Sequence, residues 1–115
     1  MKKKSLLFFL FFVCIVTSVN AQAYPGTNFR GQVLTPSYGS LVAMRRANVS
    51  LFQYQYNKWI NIANSITNDY GFYFFYGVPV GDYYLQINGH KNYPIRIIAI
   101  DYRYYQFQDI PVLYF

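Results

Sequence analysis

One histidine, one cysteine and four aspartates are nearly all that this chain offers for catalysis, and it contains no glutamate. A cysteine nucleophile needs a base beside it, but Cys14 lies in an apolar run far from His90. A tetrahedral metal site needs a cluster of Cys, His or carboxylate ligands. Here Asp69, Asp82, Asp101 and Asp109 fall singly among turn residues. Two-carboxylate hydrolysis needs a facing acid pair, and no spacing here supplies one. His90 sits in Asn88-Gly89-His90-Lys91-Asn92, which reads as a solvated turn. This inventory is that of a non-enzyme without metal or cofactor.

The elements that hold these residues follow from composition. The 115 residues are 23% aromatic and 12% charged, with 14 Tyr. That length suits one small domain, and the aromatic content excludes disorder. Lys2, Lys3 and Lys4 precede an apolar stretch from Leu6 to Val16, and Ala21-Gln22-Ala23 follows it. This is the pattern of a cleaved secretory signal peptide over residues 1–23. The apolar run is too short for a span, which takes about 20 residues, so the mature chain should have no stable membrane span. Val13 before Cys14 is not the small residue that lipid attachment requires. The formal charge of +6 then shrinks, because residues 24–115 carry seven Lys or Arg against four Asp, a net +3. Those charges are dispersed, which argues against nucleic acid as a partner. The expected location is periplasmic, outer-surface or extracellular.

From Phe29 onward apolar residues alternate with polar ones, the period of strands. Phe29, Gly31 and Val33 form one run, and Ala47, Val49 and Leu51 a second. The others are Trp59–Ile62, Phe72–Tyr76, Tyr83–Ile87, Tyr93–Ile100 and Ile110–Tyr114, with Thr35–Arg46 as the longest loop and residues 24–28 as a loose lead. Seven short strands without a helical period predict an all-β antiparallel sandwich. A transmembrane barrel would need at least eight strands of about 9–11 residues, which with their turns would use the whole mature chain, and the runs here are shorter than that. Gly71 and Gly81 suit positive-φ turn positions, Asp69 suits an Asx turn, and Pro79 pre-sets a bend. Tyr73, Phe75, Tyr83, Leu85 and Ile87 alternate inward, and Val78 closes their end.

The segment Thr67-Asn68-Asp69-Tyr70-Gly71 through Tyr83-Tyr84-Leu85-Gln86-Ile87 resembles the T-x-D-x-G-x-Y-x-F-x-x-V-P-x-G-x-Y-x-L-x-I pattern of carboxypeptidase regulatory-like domains. Those belong with the transthyretin-like (prealbumin-like) and Cna-B-like sandwiches. With the Phe29–Val33 and Ala47–Leu51 runs, the resemblance covers Phe29 to Ile87. The connection from Val33 to Ala47 is longer than the family's usual one. The resemblance implies a seven-stranded Greek-key sandwich over residues 24–115. It does not extend to the hydroxyisourate hydrolases of the same class, whose Tyr-Arg-Gly-Ser ending is replaced here by Val112-Leu113-Tyr114-Phe115. Nor does it imply the internal Lys–Asn crosslink of Cna-B modules. Lys58 and Lys91, the lysines outside the signal segment, miss the first strand, and no Glu is present.

If Tyr73 and Phe75 face inward, Phe72, Phe74 and Tyr76 face outward, with Tyr84 expected beside them. Phe72, Phe74, Tyr76 and Tyr84 are therefore the candidate binding platform, with Gln86 and Asn88 as the nearest polar groups. Cross-strand pairing or cover by 35–46 or by Tyr102–Tyr105 explains the same row without a ligand. The expected function is a secreted, non-catalytic module at the bacterial cell envelope, for protein–protein interaction, self-association or a structural role. The alternative is a carbohydrate-binding module that stacks sugar rings on the platform.

Overall fold

The computed structural model describes residues 25–115. The expected signal peptide at 1–23, with Cys14, lies outside the described residues. Every regular element among them is a strand: β1 Thr27–Ser37, β2 Ser40–Ala43, β3 Asn48–Gln55, β4 Lys58–Ile66, β5 Phe72–Val78, β6 Gly81–Ile87, β7 His90–Ile97, β8 Gln108–Asp109 and β9 Leu113–Tyr114. That makes nine strands where the pattern suggested seven, and the last two have two residues each. The expected Ile110–Tyr114 strand is broken because Pro111 has no N–H for a ladder. β8 and β9 instead pair on either side of it with successive parts of β1, in parallel.

Three further boundaries move. The Thr35–Arg46 loop is largely the β1–β2 hairpin, because Tyr38 (φ 50°) and Gly39 (φ 80°) close a two-residue turn. Thr27 and Asn28 belong to β1 and are tied in by side chains: Thr27 Oγ1 donates to the Ile98 carbonyl at 2.5 Å, and Asn28 Oδ1 accepts from the Gly77 N–H at 2.8 Å. The strand expected over Tyr93–Ile100 runs from His90 to Ile97.

The strands form two sheets. Sheet I is β2-β1-β5 with β8 and β9 alongside β1, and sheet II is β4-β3-β6-β7, antiparallel throughout. Their inner faces share one core, as in a β-sandwich. Sheet I gives Phe29, Val33, Tyr73 and Phe75, and sheet II gives Val49, Leu51, Tyr83, Leu85, Ile87 and Ile97. The inward set expected from alternation is all buried, Val78 included, but it is divided between the two sheets. Each large side chain so placed contributes roughly 1.5–3 kcal/mol, and Phe29 stacks on Phe75 at 5.0 Å.

Packing at two glycines is tight. A Cβ on Gly31 would lie 2.6 Å from Tyr73 Cζ, so the bare backbone makes room for that ring. Gly71 has φ +79°, and a Cβ there would lie 2.6 Å from the Val33 carbonyl oxygen. The Val33 N–H in turn donates to the Gly71 carbonyl at 2.9 Å. Thr67 is a buried latch: its hydroxyl donates to the Met44 carbonyl at 2.7 Å and accepts from the Ala47 N–H at 2.8 Å.

Candidate functional site

The turn residues of the motif serve the fold. The Asx role expected of Asp69 belongs to its neighbour: Asn68 Oδ1 accepts from the N–H groups of Tyr70 and Phe72, each at 3.0 Å. Asp69 is exposed, with Arg46 Nη2 3.8 Å away. Gly71 and Gly81 both have positive φ. The Pro79 carbonyl accepts from the Tyr83 hydroxyl at 2.6 Å, which fixes the passage from β5 to β6. Burial raises the pKa of that Tyr83 phenol.

This passage separates the four aromatic residues expected to form one platform. β5 pairs with β1 and lies in sheet I, whereas β6 pairs with β3 and β7 in sheet II. Phe72, Phe74 and Tyr76 therefore lie on one outer face and Tyr84 on the other. Alternation sorts residues into inside and outside but does not assign a sheet.

The sheet I row is partly roofed. Phe107 meets Phe74 edge-on at 5.7 Å and Tyr76 at 5.8 Å. The Arg30 guanidinium lies 5.1 Å from the Phe107 ring centroid and holds Asp109 through Nε at 2.7 Å. Tyr102 straps the connecting segment down, donating to the Gly26 carbonyl at 2.7 Å and accepting from the Asn28 N–H at 3.0 Å.

The outer face of sheet II is open. Register places three rows of side chains across it. The central row is Asn61, Phe52, Tyr84 and Pro94. Phe52 stacks on Tyr84 at 4.9 Å and 13°. Trp59, from the adjoining row, leans over Tyr84 at 4.6 Å and is met edge-on by Tyr54 at 5.3 Å. Trp59 remains 44% exposed. At this end Arg96 grips Asp82, Nε to Oδ1 at 2.9 Å, and that hydrogen bond, then the Asp82 charge, hold the guanidinium pKa above its ordinary value. The opposite row is uncharged: Asn64, Ser50, Gln86 and Asn92. In it Gln86 Nε2 donates to Asn92 Oδ1 at 2.9 Å, and Asn61 Nδ2 reaches across to Asn64 Oδ1 at 3.2 Å. Between Trp59 and the Pro94–Arg96 edge lies an open groove of about 660 Å³, with Tyr84, Asp82 and Asn92 also lining it.

No family model and no curated protein sequence matches this chain.

The groove thus rests on its own chemistry. Tyr84 is the one expected platform residue that it contains. Trp59 lines it unforeseen, and Phe52 and Tyr54 pack against these two rings. Alternation from Val49 and Leu51 already sets Phe52 and Tyr54 outward, and reading Tyr56-Asn57 as a two-residue hairpin turn places Trp59 opposite Tyr54. Of the two expected polar groups, Gln86 is on this face. Asn88 is structural, its Oδ1 accepting from the Asn48 N–H at 2.8 Å. His90 opens β7 with its ring 6.3 Å from Phe115. Among the described residues no three His, Cys, Asp or Glu side chains gather as a metal site would require.

Proposed function

We propose that this chain is an exported, non-catalytic β-sandwich module that works by binding at the bacterial cell envelope, through the open face of sheet II. The observation that carries this reading is the groove beside Trp59 and Tyr84. Aromatic side chains left half-exposed around a concavity are costly to leave wet, and such sites commonly mark ligand contact. The carboxypeptidase regulatory-like assignment, with its seven principal strands in Greek-key order, draws support from the Thr67–Ile87 motif. The apolar positions Tyr73, Phe75, Val78, Tyr83, Leu85 and Ile87 of that motif are buried. Export rests on the signal pattern at residues 1–23, and the non-catalytic reading on the sparse inventory of reactive side chains. A second reading, contact with a protein partner or another copy, draws on Tyr104 and Tyr105, which stand 76% and 62% exposed on the segment after β7.

The test is expression of the full chain in a Gram-negative host. The expected product is trimmed near Ala23, leaves the cytoplasm and co-sediments with washed envelope, and Tyr84→Ala weakens that co-sedimentation. An untrimmed cytoplasmic product overturns export. Equal sedimentation of the parent and Tyr84→Ala overturns binding through this face. Concentration-dependent elution in gel filtration supports self-association, and a constant monomer elution overturns it.

A further inference from the structure

The groove on sheet II has a chemical character that narrows its ligand, given that this face binds at all. Its aromatic part is the exposed indole of Trp59 tilted over Tyr84, with Phe52 stacked behind the Tyr84 ring. Such surfaces favour a ligand that presents a flat array of C–H groups, rather than a branched side chain that needs a deep hole. Both polar ends lack a free charge. Asp82 and Arg96 neutralise each other at 2.9 Å, and the opposite row is built from Asn64, Ser50, Gln86 and Asn92, all neutral. A primary amide presents donors and an acceptor in one plane, which matches neighbouring hydroxyls that each donate and accept. Beyond the Gln86–Asn92 bond, the pair still offers an acceptor, Gln86 Oε1, and a donor, Asn92 Nδ2.

Charge and size exclude the main rivals. An anionic polymer would call for uncompensated cations, and the one cation lining the groove, Arg96, is already paired. A protein partner of ordinary size covers about 800 Å² per side. Four strands about 4.8 Å apart and seven to nine residues long give a flat face on the order of 350–500 Å². That is narrow for a protein and adequate for a linear polyhydroxylated chain.

We infer that this face is a binding site for a neutral oligosaccharide, with sugar rings stacked on Tyr84 and Trp59 and their hydroxyls held by Asn92, Gln86 and the Asp82–Arg96 pair. This rests on the binding reading above. Trp59 is the only tryptophan of the chain, so indole emission reports this face alone.

The experiment titrates the exported protein with neutral cello-, xylo-, manno- and malto-oligosaccharides and with polygalacturonate, following emission and heat. At least one neutral series is expected to shift the emission. Binding should hold within about twofold between ~0.05 and ~0.5 M salt, because the ligand carries no charge to be screened. Tyr84→Ala should weaken it by about tenfold or more, the size of a single hot spot. Asn92→Ala should weaken it several-fold, and both variants should stay folded, with melting temperatures within a few degrees of the parent's. No response to any neutral series, a response suppressed by salt, or full affinity in folded Tyr84→Ala overturns the inference. Envelope co-sedimentation that still depends on Tyr84 while all neutral series fail overturns the sugar and leaves the binding module standing. Failure of both overturns both.

Discussion

Tyr73 shows what one residue contributes to and costs this core. Its ring lies over Gly31 and contacts Phe75 edge-on at 6.0 Å, yet its hydroxyl is buried without a hydrogen-bond partner among the described residues. An orphaned buried hydroxyl costs about 1–3 kcal/mol. Tyr73→Phe keeps the ring and removes that cost, so chemical denaturation should show it more stable than the parent by about 1 kcal/mol. A loss of stability would mean that the hydroxyl has a partner. The same residue gives a pH signature. Burial holds its pKa well above the ordinary 10.0. Above about pH 10 the unfolded chain releases this proton and the folded chain keeps it, so stability present below that pH declines as pH rises. Denaturation midpoints at about pH 8 and about pH 11 should diverge less in Tyr73→Phe than in the parent. Some decline should persist, because Tyr83 and Tyr93 are also raised by burial. Residue identity alone made the ring legible as core. It could not reveal the missing partner, which depends on how β1 passes beneath the ring, nor that Asn68 rather than Asp69 closes the turn, since both have the required oxygen.

At the scale of elements, the turns explain most of what the sequence did and did not show. Asn88-Gly89 is a familiar hairpin turn, and Asn88 (φ 51°) and Gly89 (φ 76°) do join β6 to β7. Tyr56 (φ 53°) and Asn57 (φ 64°) join β3 to β4 in the same way, but Tyr at such a position carries little signal. With that turn unseen, Trp59 has no register and the groove has no wall. The strain is measurable: a non-glycine residue in the left-handed region costs roughly 1–2 kcal/mol. Replacing Tyr56-Asn57 by Asn-Gly, the pair best suited to this turn, should stabilise the protein by about 0.5–1 kcal/mol in thermal melts. An unchanged or lower melting temperature would mean that the tyrosine ring makes compensating contacts. Because the register is kept, Trp59 emission should match the parent's.

For the whole molecule, the consequential asymmetry is between two outer faces that are equally aromatic in sequence. Phe74 and Tyr76 on sheet I meet Phe107, whereas among the described residues the rings that Trp59 and Tyr84 meet belong to sheet II itself. One face is thus partly covered by chain that arrives from beyond β7, although Tyr76 stays exposed, and the other faces outward. Alternation cannot distinguish them, because the cover comes from about thirty residues away in sequence and belongs to an irregular segment. The two should respond oppositely to truncation. Phe107→Ala removes a ring packed against two others and the cation–π partner of Arg30. It should cost about 1–2 kcal/mol, increase binding of a hydrophobic dye, and quicken tryptic cleavage after Arg103. Trp59→Ala removes a larger ring from an open face, and away from buried features such changes usually cost under about 1 kcal/mol. Its dye binding should stay level or fall, and its loss should be felt in ligand affinity. Equal destabilisation by the two substitutions would mean that the sheet II rings hold the fold together. A stable Trp59→Ala that has lost its ligand is the result expected of a surface built for contact.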